Sequence, residues 1–306
     1  MIAIACPGQG SQTPGFMIPW LELDVYAAAI DEMSSASGVD LRKHGTESDA
    51  DTIRDTAIAQ PLIVAASVAS FAALMAAAPE LEVGAIAGHS VGEIAAATIA
   101  GIFTQESGIK FVTARGKAMA AAAALEATSM AAVIGGDWSV VSETLDGFGL
   151  APANFNGGGQ VVVAGPAAGI AELAANAPAG ARVIPLQVAG AFHTKYMQPA
   201  VASLSDFAST LEVGDPSLPI LTNKDGSTVT SGSDYLSLLI NQVSNPVRWD
   251  QCMDALTAAG TTALIELSPA GALVGLAKRG MAGVETLAIK TPESLSAAVE
   301  LIKNQS

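Results

Sequence analysis

The sequence has little cysteine, few aromatic side chains and few basic residues. Two cysteines, Cys6 and Cys252, occur among 306 residues, and neither belongs to a Cys-x-x-Cys or Cys/His pattern. This scarcity argues against a disulfide framework and against a zinc site, and it favours a reducing compartment. We therefore expect a cytoplasmic protein without a bound metal.

Basic residues are outnumbered by acidic ones. The chain has 14 lysines and arginines against 29 aspartates and glutamates, which gives a formal net charge of −15. A protein that binds nucleic acid needs a basic surface for the phosphates, and no basic run interleaved with aromatics occurs here. The acidity is typical of a soluble protein. An acidic partner would therefore have to bind at a local patch of basic residues.

Long hydrophobic runs are also scarce, and the first residues contain no basic stretch of the kind that begins a signal peptide. The longest uncharged run extends from Thr56 to Ala78 and is long enough to span a bilayer. It consists largely of alanine and serine, with Gln60 and Pro61 near its start. We predict a buried core helix here, and no membrane segment.

The order of apolar runs predicts an α/β protein with two units. Up to about residue 122, apolar runs alternate with helical stretches, as in parallel sheets with crossover helices. Residues 129–188 then predict the order βαββαβ, with "GGG" at 157–159 as a hairpin turn, which is ferredoxin-like. We predict a large hydrolase-like domain with a parallel sheet, residues 1–124 and 190–306, and an inserted ferredoxin-like domain, residues 125–189.

The stretch "GHSVG" at residues 88–92 lies between a predicted strand, "VGAIAG", and a predicted helix, "VGEIAAATIAGIF". This is the strand-turn-helix setting of the G-x-S-x-G turn that exposes a nucleophilic serine. Gly88 and Gly92 remove side chains that would clash across the turn, and the amide of Val91 can face a developing oxyanion. A helix-capping serine is the alternative. The setting favours Ser90 as a nucleophile.

A serine nucleophile needs a base, and the chain has three histidines. His44 lies in the polar segment "LRKHGTESDA", which predicts a solvated loop. His89 precedes the serine within the turn and would point away from its hydroxyl, which favours a structural role. The candidate base is therefore His193, in "VAGAFHTKYM", and we expect it to titrate near neutrality.

Several separated motifs make the sequence similar to one enzyme family over nearly its whole length. It resembles the malonyl-CoA:acyl carrier protein transacylases. The motifs that carry this resemblance are "PGQGSQ" at 7–12, "QP" at 60–61, "GHSVGE" at 88–93, "RGKAM" at 115–119, "NFN" at 154–156, "GAFHT" at 190–194 and "NPVRW" at 245–249.

The resemblance implies catalytic roles for four residues. Ser90 is the nucleophile, and His193 is the base that deprotonates it. The main-chain carbonyl of Gln242 orients the histidine, with Asn223 near the same site. A carbonyl in this place departs from the acidic third member of a hydrolase triad.

The resemblance also implies how the substrate is held. The backbone amides of Gln9 and Val91 form the oxyanion hole, and Arg115 binds the malonyl carboxylate. A planar guanidinium suits a carboxylate because it can bind both oxygens. The alternatives are a phosphate-binding loop at "PGQGSQ", whose spacing fits no such motif, and an ordinary surface arginine. Further implied substrate-binding residues are Gln60, Met119, Phe192 and Asn156.

The implied reaction is transfer of a malonyl group from malonyl-CoA to the pantetheine thiol of acyl carrier protein, through a malonyl-serine ester. This reaction needs no cofactor, and it would supply extender units for fatty acid synthesis, with a polyketide carrier as the alternative. We expect a monomer. Phe192 before the histidine favours malonyl over methylmalonyl groups, unless it is simply a core residue. Candidate basic residues for carrier docking are Lys117, Arg182, Lys195, Arg248, Lys278 and Arg279.

Two other classes of function remain open from the residues alone. A serine hydrolase would use the same turn, but Arg115 and the missing acidic partner of His193 argue against it. A docking module without catalysis would keep the fold and lose the chemistry.

Overall fold

The computed structural model describes residues 1–188 and 190–305. Its strands are β1 (Ile2–Cys6), β2 (Val83–Gly88), β3 (Thr128–Gly135), β4 (Ala151–Gly157), β5 (Gln160–Pro166), β6 (Ala181–Pro185), β7 (Ile220–Leu221), β8 (Thr228–Val229), β9 (Val247–Arg248), β10 (Ala263–Glu266) and β11 (Glu285–Ala288). Its α-helices are α1 (Asp24–Ser37), α2 (Leu41–Thr46), α3 (Ala50–Arg54), α4 (Thr56–Ala77), α5 (Gly92–Ile99), α6 (Gln105–Ala123), α7 (Trp138–Gly147), α8 (Ala167–Ala175), α9 (Gln198–Ala208), α10 (Gly232–Gln242), α11 (Trp249–Ala258), α12 (Ala272–Gly280) and α13 (Ser294–Gln305). Short 3-10 helices occupy Pro19–Glu22 and Lys195–Met197.

A six-stranded sheet, in the order β11-β10-β1-β2-β7-β8, forms the larger part of the fold. All its neighbouring strands pair in parallel except β7 and β8. Strand β1 is buried on both faces: Ile2 and Ile4 pack into one core, and Ala3 and Ala5 into the core on the other side. The continuous apolar run in β1 is therefore that of a parallel strand covered by helices on both faces.

A five-stranded sheet, in the order β6-β3-β5-β4-β9, makes up the rest. Residues 128–185 follow the predicted order βαββαβ, and β3, β4, β5 and β6 pair antiparallel. The predicted hairpin turn is present, with all three residues of Gly157–Gly159 at positive φ. The fifth strand, β9, comes from the "NPVRW" segment and runs parallel to β4. The predicted domain boundary at Ala189 and the chain end at Ser306 lie outside the described residues.

Helix α4 is the candidate membrane segment considered above. Of its most apolar window, 72% is buried inside the protein. The helix packs against α1, α5 and α6. It is a core helix, as the sequence predicts.

Some predicted boundaries are wrong. The helix after Ser90 ends at Ile99 and not at Phe103, because Gly101 takes a left-handed conformation that terminates it. The strand predicted for "ARVIPLQV" ends at Pro185, and the one predicted for "LPILTN" keeps only two paired residues. His44 lies in α2 rather than in a loop, because Asp40 caps this short helix.

Candidate active site

Ser90 lies at the turn between β2 and α5, in a left-handed backbone conformation that residues other than glycine rarely adopt. Its φ is 54°. A Cβ on Gly88 would lie 2.0 Å from the carbonyl carbon of Gly92, and a Cβ on Gly92 would lie 2.2 Å from the oxygen of Cys6. Only glycine fits at these two positions, so the turn depends on both. Strain of this kind is characteristic of functional sites.

The Ser90 hydroxyl lies 2.7 Å from Nε2 of His193. The other ring nitrogen, Nδ1, is 2.9 Å from the main-chain oxygen of Gln242. A carbonyl oxygen can only accept, so Nδ1 carries the proton and Nε2 is free to accept one from the serine. The arrangement is that of a nucleophile, a base and an orienting group.

The expectation that His193 titrates near neutrality is wrong. The imidazole is buried, and the charged Arg115 lies near it. Burial is the larger cause, and together they lower the pKa of His193 to about 3. The ring is therefore neutral, as a base must be, across the ordinary pH range.

Arg115, on α6, is fully buried and reaches the serine. Its Nη1 donates to Oε1 of Gln60 at 2.6 Å, and its Nη2 donates to Oε1 of Gln242 at 2.8 Å. The same Nη2 lies 3.4 Å from the hydroxyl oxygen of Ser90. Burial lowers the pKa of Arg115 to about 10, which still leaves it charged at neutral pH. Two neutral amide oxygens thus hold a cation beside the nucleophile.

Asn223 supports the turn itself. Its Oδ1 accepts from the amide of Ser90 at 2.7 Å, and its Nδ2 donates to the carbonyl of Gly88 at 2.7 Å. Both bonds are made to backbone atoms on either side of His89. Asn223 therefore clamps the strained turn and does not touch the Ser90 hydroxyl.

The amides of Gln9 and Val91 are free for a ligand. Within the described part of the chain, neither backbone N–H has a hydrogen-bond acceptor, and both residues line the same cavity as Ser90. The side chain of Gln9 donates to the carbonyl of Arg54 at 3.3 Å, which anchors the loop. Two unpaired donors beside a nucleophile are what an oxyanion hole requires.

One cavity of about 420 Å³ gathers most of the predicted residues. Of the eleven predicted site residues, nine line it, and Gln242 and Asn223 lie behind them. The lining members are Gln9, Gln60, Ser90, Val91, Arg115, Met119, Asn156, Phe192 and His193. The sequence prediction thus describes one place in the fold.

Comparison with known proteins agrees with this geometry. The family model described as "Acyl transferase domain" matches residues 4–301. The malonyl CoA-acyl carrier protein transacylase of Mycobacterium tuberculosis is 43% identical over 305 residues, covering 98% of this chain and all of the relative. The chain belongs to the malonyl-CoA:acyl carrier protein transacylase family. It is an acyltransferase.

Other members of the transacylase family have the same fold. The Escherichia coli K12 transacylase is 32% identical over 309 residues, covering 98% of this chain and 99% of the relative. The crystal structure of the M. tuberculosis protein superposes with a TM-score of 0.94, covering 98% of this chain and 99% of that one. A malonyl-transacylase solved in complex with its type II PKS acyl-carrier protein gives a TM-score of 0.91 at 30% identity, covering 98% and 99%.

The remaining predicted residues of this transacylase shape the cavity wall. Nε2 of Gln60 lies 3.4 Å from the sulfur of Met119, which orients the Gln60 amide so that its oxygen faces Arg115. Oδ1 of Asn156 lies 2.9 Å from Nε2 of His89. The ring of His89 is partly buried and contacts Asn156 and Trp249, and loss of hydration lowers its pKa.

Only one candidate docking residue borders the cavity. Arg279 lines it, whereas Lys117 and Lys195 are exposed on its outside, although they are closest in sequence to the site motifs. Arg248 is paired with Asp250 at 2.8 Å and covers the ring of Phe155. Sequence distance was therefore a poor guide to which cation lies at the mouth.

The sequence reasoning missed Glu93, which is 2% exposed. Its carboxyl group accepts from Asn223, Tyr235 and Gln242, behind the nucleophile. Burial raises the pKa of Glu93 to about 7, against the opposing effect of these hydrogen bonds and of Arg115. The available signal was its place at the end of "GHSVGE", in the first turn of α5.

No group suited to hold a metal occurs among the described residues. Cys6 and Cys252 are both free and buried. Burial raises the pKa of each thiol well above its usual range.

Proposed function

We propose that this chain transfers the malonyl group of malonyl-CoA to the pantetheine thiol of an acyl carrier protein, through an ester on Ser90. The observation that carries the proposal is the position of the Ser90 hydroxyl, 2.7 Å from the base His193 and 3.4 Å from the guanidinium of Arg115. Malonyl-CoA and carrier protein are the substrates that the names of the relatives state.

The first half of the reaction forms the ester. The Ser90 oxygen attacks the thioester carbon while its proton passes to Nε2 of His193. Negative charge develops on the carbonyl oxygen, where the amides of Gln9 and Val91 stabilise it; losing one such donor costs about 10²–10³-fold in rate. The intermediate then expels the CoA sulfur, which takes the proton from His193.

The second half of the reaction reverses these steps with another thiol. The pantetheine thiol gives its proton to His193, and the sulfur attacks the ester carbon. The same two amides stabilise the charge. The Ser90 oxygen leaves with the proton from His193, which regenerates the free enzyme.

Arg115 supplies selectivity for a dicarboxylic acyl group. A malonyl group esterified to Ser90 carries a carboxylate two carbons from the ester carbonyl, within reach of the buried guanidinium. The charge-assisted bonds between the two groups form away from water. Gln60, Met119, Phe192 and Asn156 complete the substrate-binding wall.

The arrangement favours transfer over hydrolysis. His193 is oriented by the Gln242 carbonyl and not by a carboxylate. Arg115 serves no purpose for a general esterase, but it is matched to a malonyl carboxylate.

Further parts of the proposal concern architecture and setting. The turn at Ser90 is of the hydrolase type, and residues 1–124 and 190–306 form the large domain around it. Residues 125–189 form a ferredoxin-like insertion, whose strand order β6-β3-β5-β4 supports that interpretation. The enzyme acts as a cytoplasmic monomer and supplies extender units for fatty acid synthesis.

The test is to incubate the chain with malonyl-CoA and measure its mass. A covalent malonyl adduct on Ser90, absent from Ser90→Ala, is expected. Its absence from the parent chain would leave only a docking module without catalysis. Release of free malonate at the same rate with and without carrier protein would identify a hydrolase.

A further inference from the structure

Glu93 is a buried carboxyl group that the reaction above does not use. Its Oε1 accepts from the amide of Asn223 at 2.7 Å and from the hydroxyl of Tyr235 at 3.2 Å. Its Oε2 accepts from Nε2 of Gln242. None of its hydrogen bonds involves the Ser90 hydroxyl or the imidazole of His193.

The contact with Glu93 determines which way the Gln242 amide points. A glutamine amide has a donor face and an acceptor face, and the carboxylate that Glu93 carries once pH exceeds its pKa of about 7 can only accept. Nε2 of Gln242 must therefore face Glu93, and it also lies 3.2 Å from the main-chain oxygen of Ser90. Its oxygen is then left to face Arg115. Turned over, the amide would present its oxygen to a carboxylate and its NH₂ group to a guanidinium, two mismatches at once.

The side-chain oxygen of Gln242 helps to orient the Arg115 guanidinium. The guanidinium is held by two acceptors, Oε1 of Gln60 at 2.6 Å and Oε1 of Gln242 at 2.8 Å. Apart from Arg115 itself, the Gln60 amide has one side-chain partner among the described residues, a weak contact with the Met119 sulfur at 3.4 Å. When Glu93 is ionised, the charge-assisted hydrogen bond that Gln242 donates to it is the stronger of the two supports.

From this chain of contacts we infer that Glu93 is a positioning residue for acyl selectivity: it fixes the Gln242 amide and thereby aims the Arg115 guanidinium at the malonyl carboxylate. The inference rests on the proposed function. Glu93 acts through Gln242 and never touches the substrate. Acetyl groups have no carboxylate, so their transfer does not depend on this support.

The test measures kcat/KM for acylation of Ser90 by malonyl-CoA and by acetyl-CoA in the parent and in Glu93→Gln at pH 8, where Glu93 is mostly ionised. The substitution keeps the shape but lets the side chain donate, so that the Gln242 amide turns over. Malonyl acylation should fall by about tenfold or more, the loss expected of a coupled hydrogen-bond network. Acetyl acylation should change by less than about threefold, because the serine and its base keep their geometry.

Tyr235→Phe is the matched control, because it removes one donor to Glu93 and leaves the contact with Gln242. Its malonyl-to-acetyl ratio should equal that of the parent. A second variant, Gln242→Met, removes the amide while keeping the main-chain oxygen that orients His193. It should show the same loss of selectivity, and adding Glu93→Gln to it should cost little more, because both act in one chain of contacts.

Equal losses for both thioesters in Glu93→Gln and in Gln242→Met would mean that the pair only supports the turn, and this would overturn the inference. Additive effects in the double variant would also overturn it. Failure of the parent chain to form any malonyl adduct would instead refute the proposed function.

Discussion

Nη2 of Arg115 lies 3.4 Å from the hydroxyl oxygen of Ser90, although Arg115 is on α6 and Ser90 is in the turn before α5. The guanidinium is 1% exposed and charged, and it has two amide oxygens as partners but no direct carboxylate partner among the described residues. A buried cation of this kind binds an anion strongly because water competes little. A malonyl group on Ser90 would bring that anion.

Removal of the guanidinium should therefore slow the transfer of malonyl groups and leave the transfer of acetyl groups unimpaired. In Arg115→Ala we expect kcat/KM for malonyl-CoA to fall roughly 30-fold or more, since truncating one partner of a buried charge pair costs about 2–5 kcal/mol. Acetyl loading onto Ser90 should stay level or rise. Arg115→Lys should recover only part of the loss, because an ammonium keeps the charge without the two-pronged geometry.

The measurement is kcat/KM for both thioesters in the three proteins. An equal fall for acetyl and malonyl groups would mean that Arg115 supports the fold or binds CoA. The proposal that Arg115 recognises the malonyl carboxylate would then have to be withdrawn.

Phe192 should limit branching of the acyl group. Its ring is 6% exposed and lines the cavity next to His193. An α-methyl group on the substrate would collide with it, so Phe192→Ser should narrow the ratio of malonyl to methylmalonyl kcat/KM. Met130→Ala, in the same cavity wall, is the control for a general loss of packing. An unchanged ratio in Phe192→Ser would make this phenylalanine a core residue only.

Because the backbone at Ser90 is strained, a glycine variant at this position should be more stable than an alanine variant, the reverse of the usual order. At ordinary helical positions alanine is more stable than glycine, by about 0.5–1 kcal/mol. At a φ of 54° the left-handed conformation penalises any Cβ, by about 1–2 kcal/mol. Ser90→Gly should therefore exceed Ser90→Ala in free energy of unfolding by about 1 kcal/mol, while neither forms the adduct.

Chemical denaturation of the two variants measures this difference. The exposed Ser205, inside α9, serves as the control, and there the alanine variant should be the more stable one. A more stable Ser90→Ala than Ser90→Gly would show that the turn carries no strain.

The turn that carries Ser90 could be predicted from the local sequence, whereas the groups around it could not. The strand, the glycine pair and the helix around Ser90 are all close in sequence, so their chemistry can be read directly from "GHSVGE". His193 and Arg115 were found by elimination and by family motifs. The contact between Nδ1 of His193 and the carbonyl of Gln242, 49 residues away, was implied only by resemblance.

Glu93 and Arg279 show what pattern could not supply. An acidic residue in the first turn of a helix is ordinary. Glu93 is unusual because its carboxyl group accepts hydrogen bonds from Tyr235, Gln242 and Asn223. Arg279 is 86 residues from His193 in sequence and reaches the cavity because β10 lies beside β1. In both cases the decisive contacts join residues that are far apart in sequence.

Arg279 is the cation at the cavity mouth that we expect to meet an acidic carrier protein. Reversal of a charge at the edge of an interface mainly slows association, so Arg279→Glu should raise the KM for carrier protein several-fold, about 3–10-fold at low salt. The side chain of Lys195 lies outside the cavity beside Tyr196, so Lys195→Glu should raise this KM less. Added salt should shrink both effects.

Steady-state kinetics with each substrate varied in turn gives the two KM values. Lys303→Glu, on the distant part of the chain in α13, controls for the change in net charge. An equal rise in KM for malonyl-CoA and for carrier protein in Arg279→Glu would assign this residue to CoA binding instead.

The buried carboxyl of Glu93 should make stability fall as pH rises. Burial raises its pKa from 4.5 to about 7 in the folded chain, and the charged or titratable groups that face it are Arg115, Tyr235 and Cys252. Between these pH values the folded protein retains a proton that the unfolded chain has lost, so the contribution is complete below pH 4.5 and is lost as pH rises through 7.

In Glu93→Gln this dependence disappears. The stability of the variant relative to the parent should therefore increase from pH 5 to pH 8, by up to about 3 kcal/mol, whatever constant cost the altered contact with Gln242 adds. His193 acts in the opposite direction, because its lowered pKa makes the folded state lose stability as pH falls below 6.5. Its effect is common to both proteins and cancels in the difference.

Urea unfolding at each pH gives the two free energies, and Glu300→Gln, which removes an exposed carboxyl group on α13, is the control. A difference between Glu93→Gln and the parent that stays constant over this range would show that Glu93 is ionised throughout.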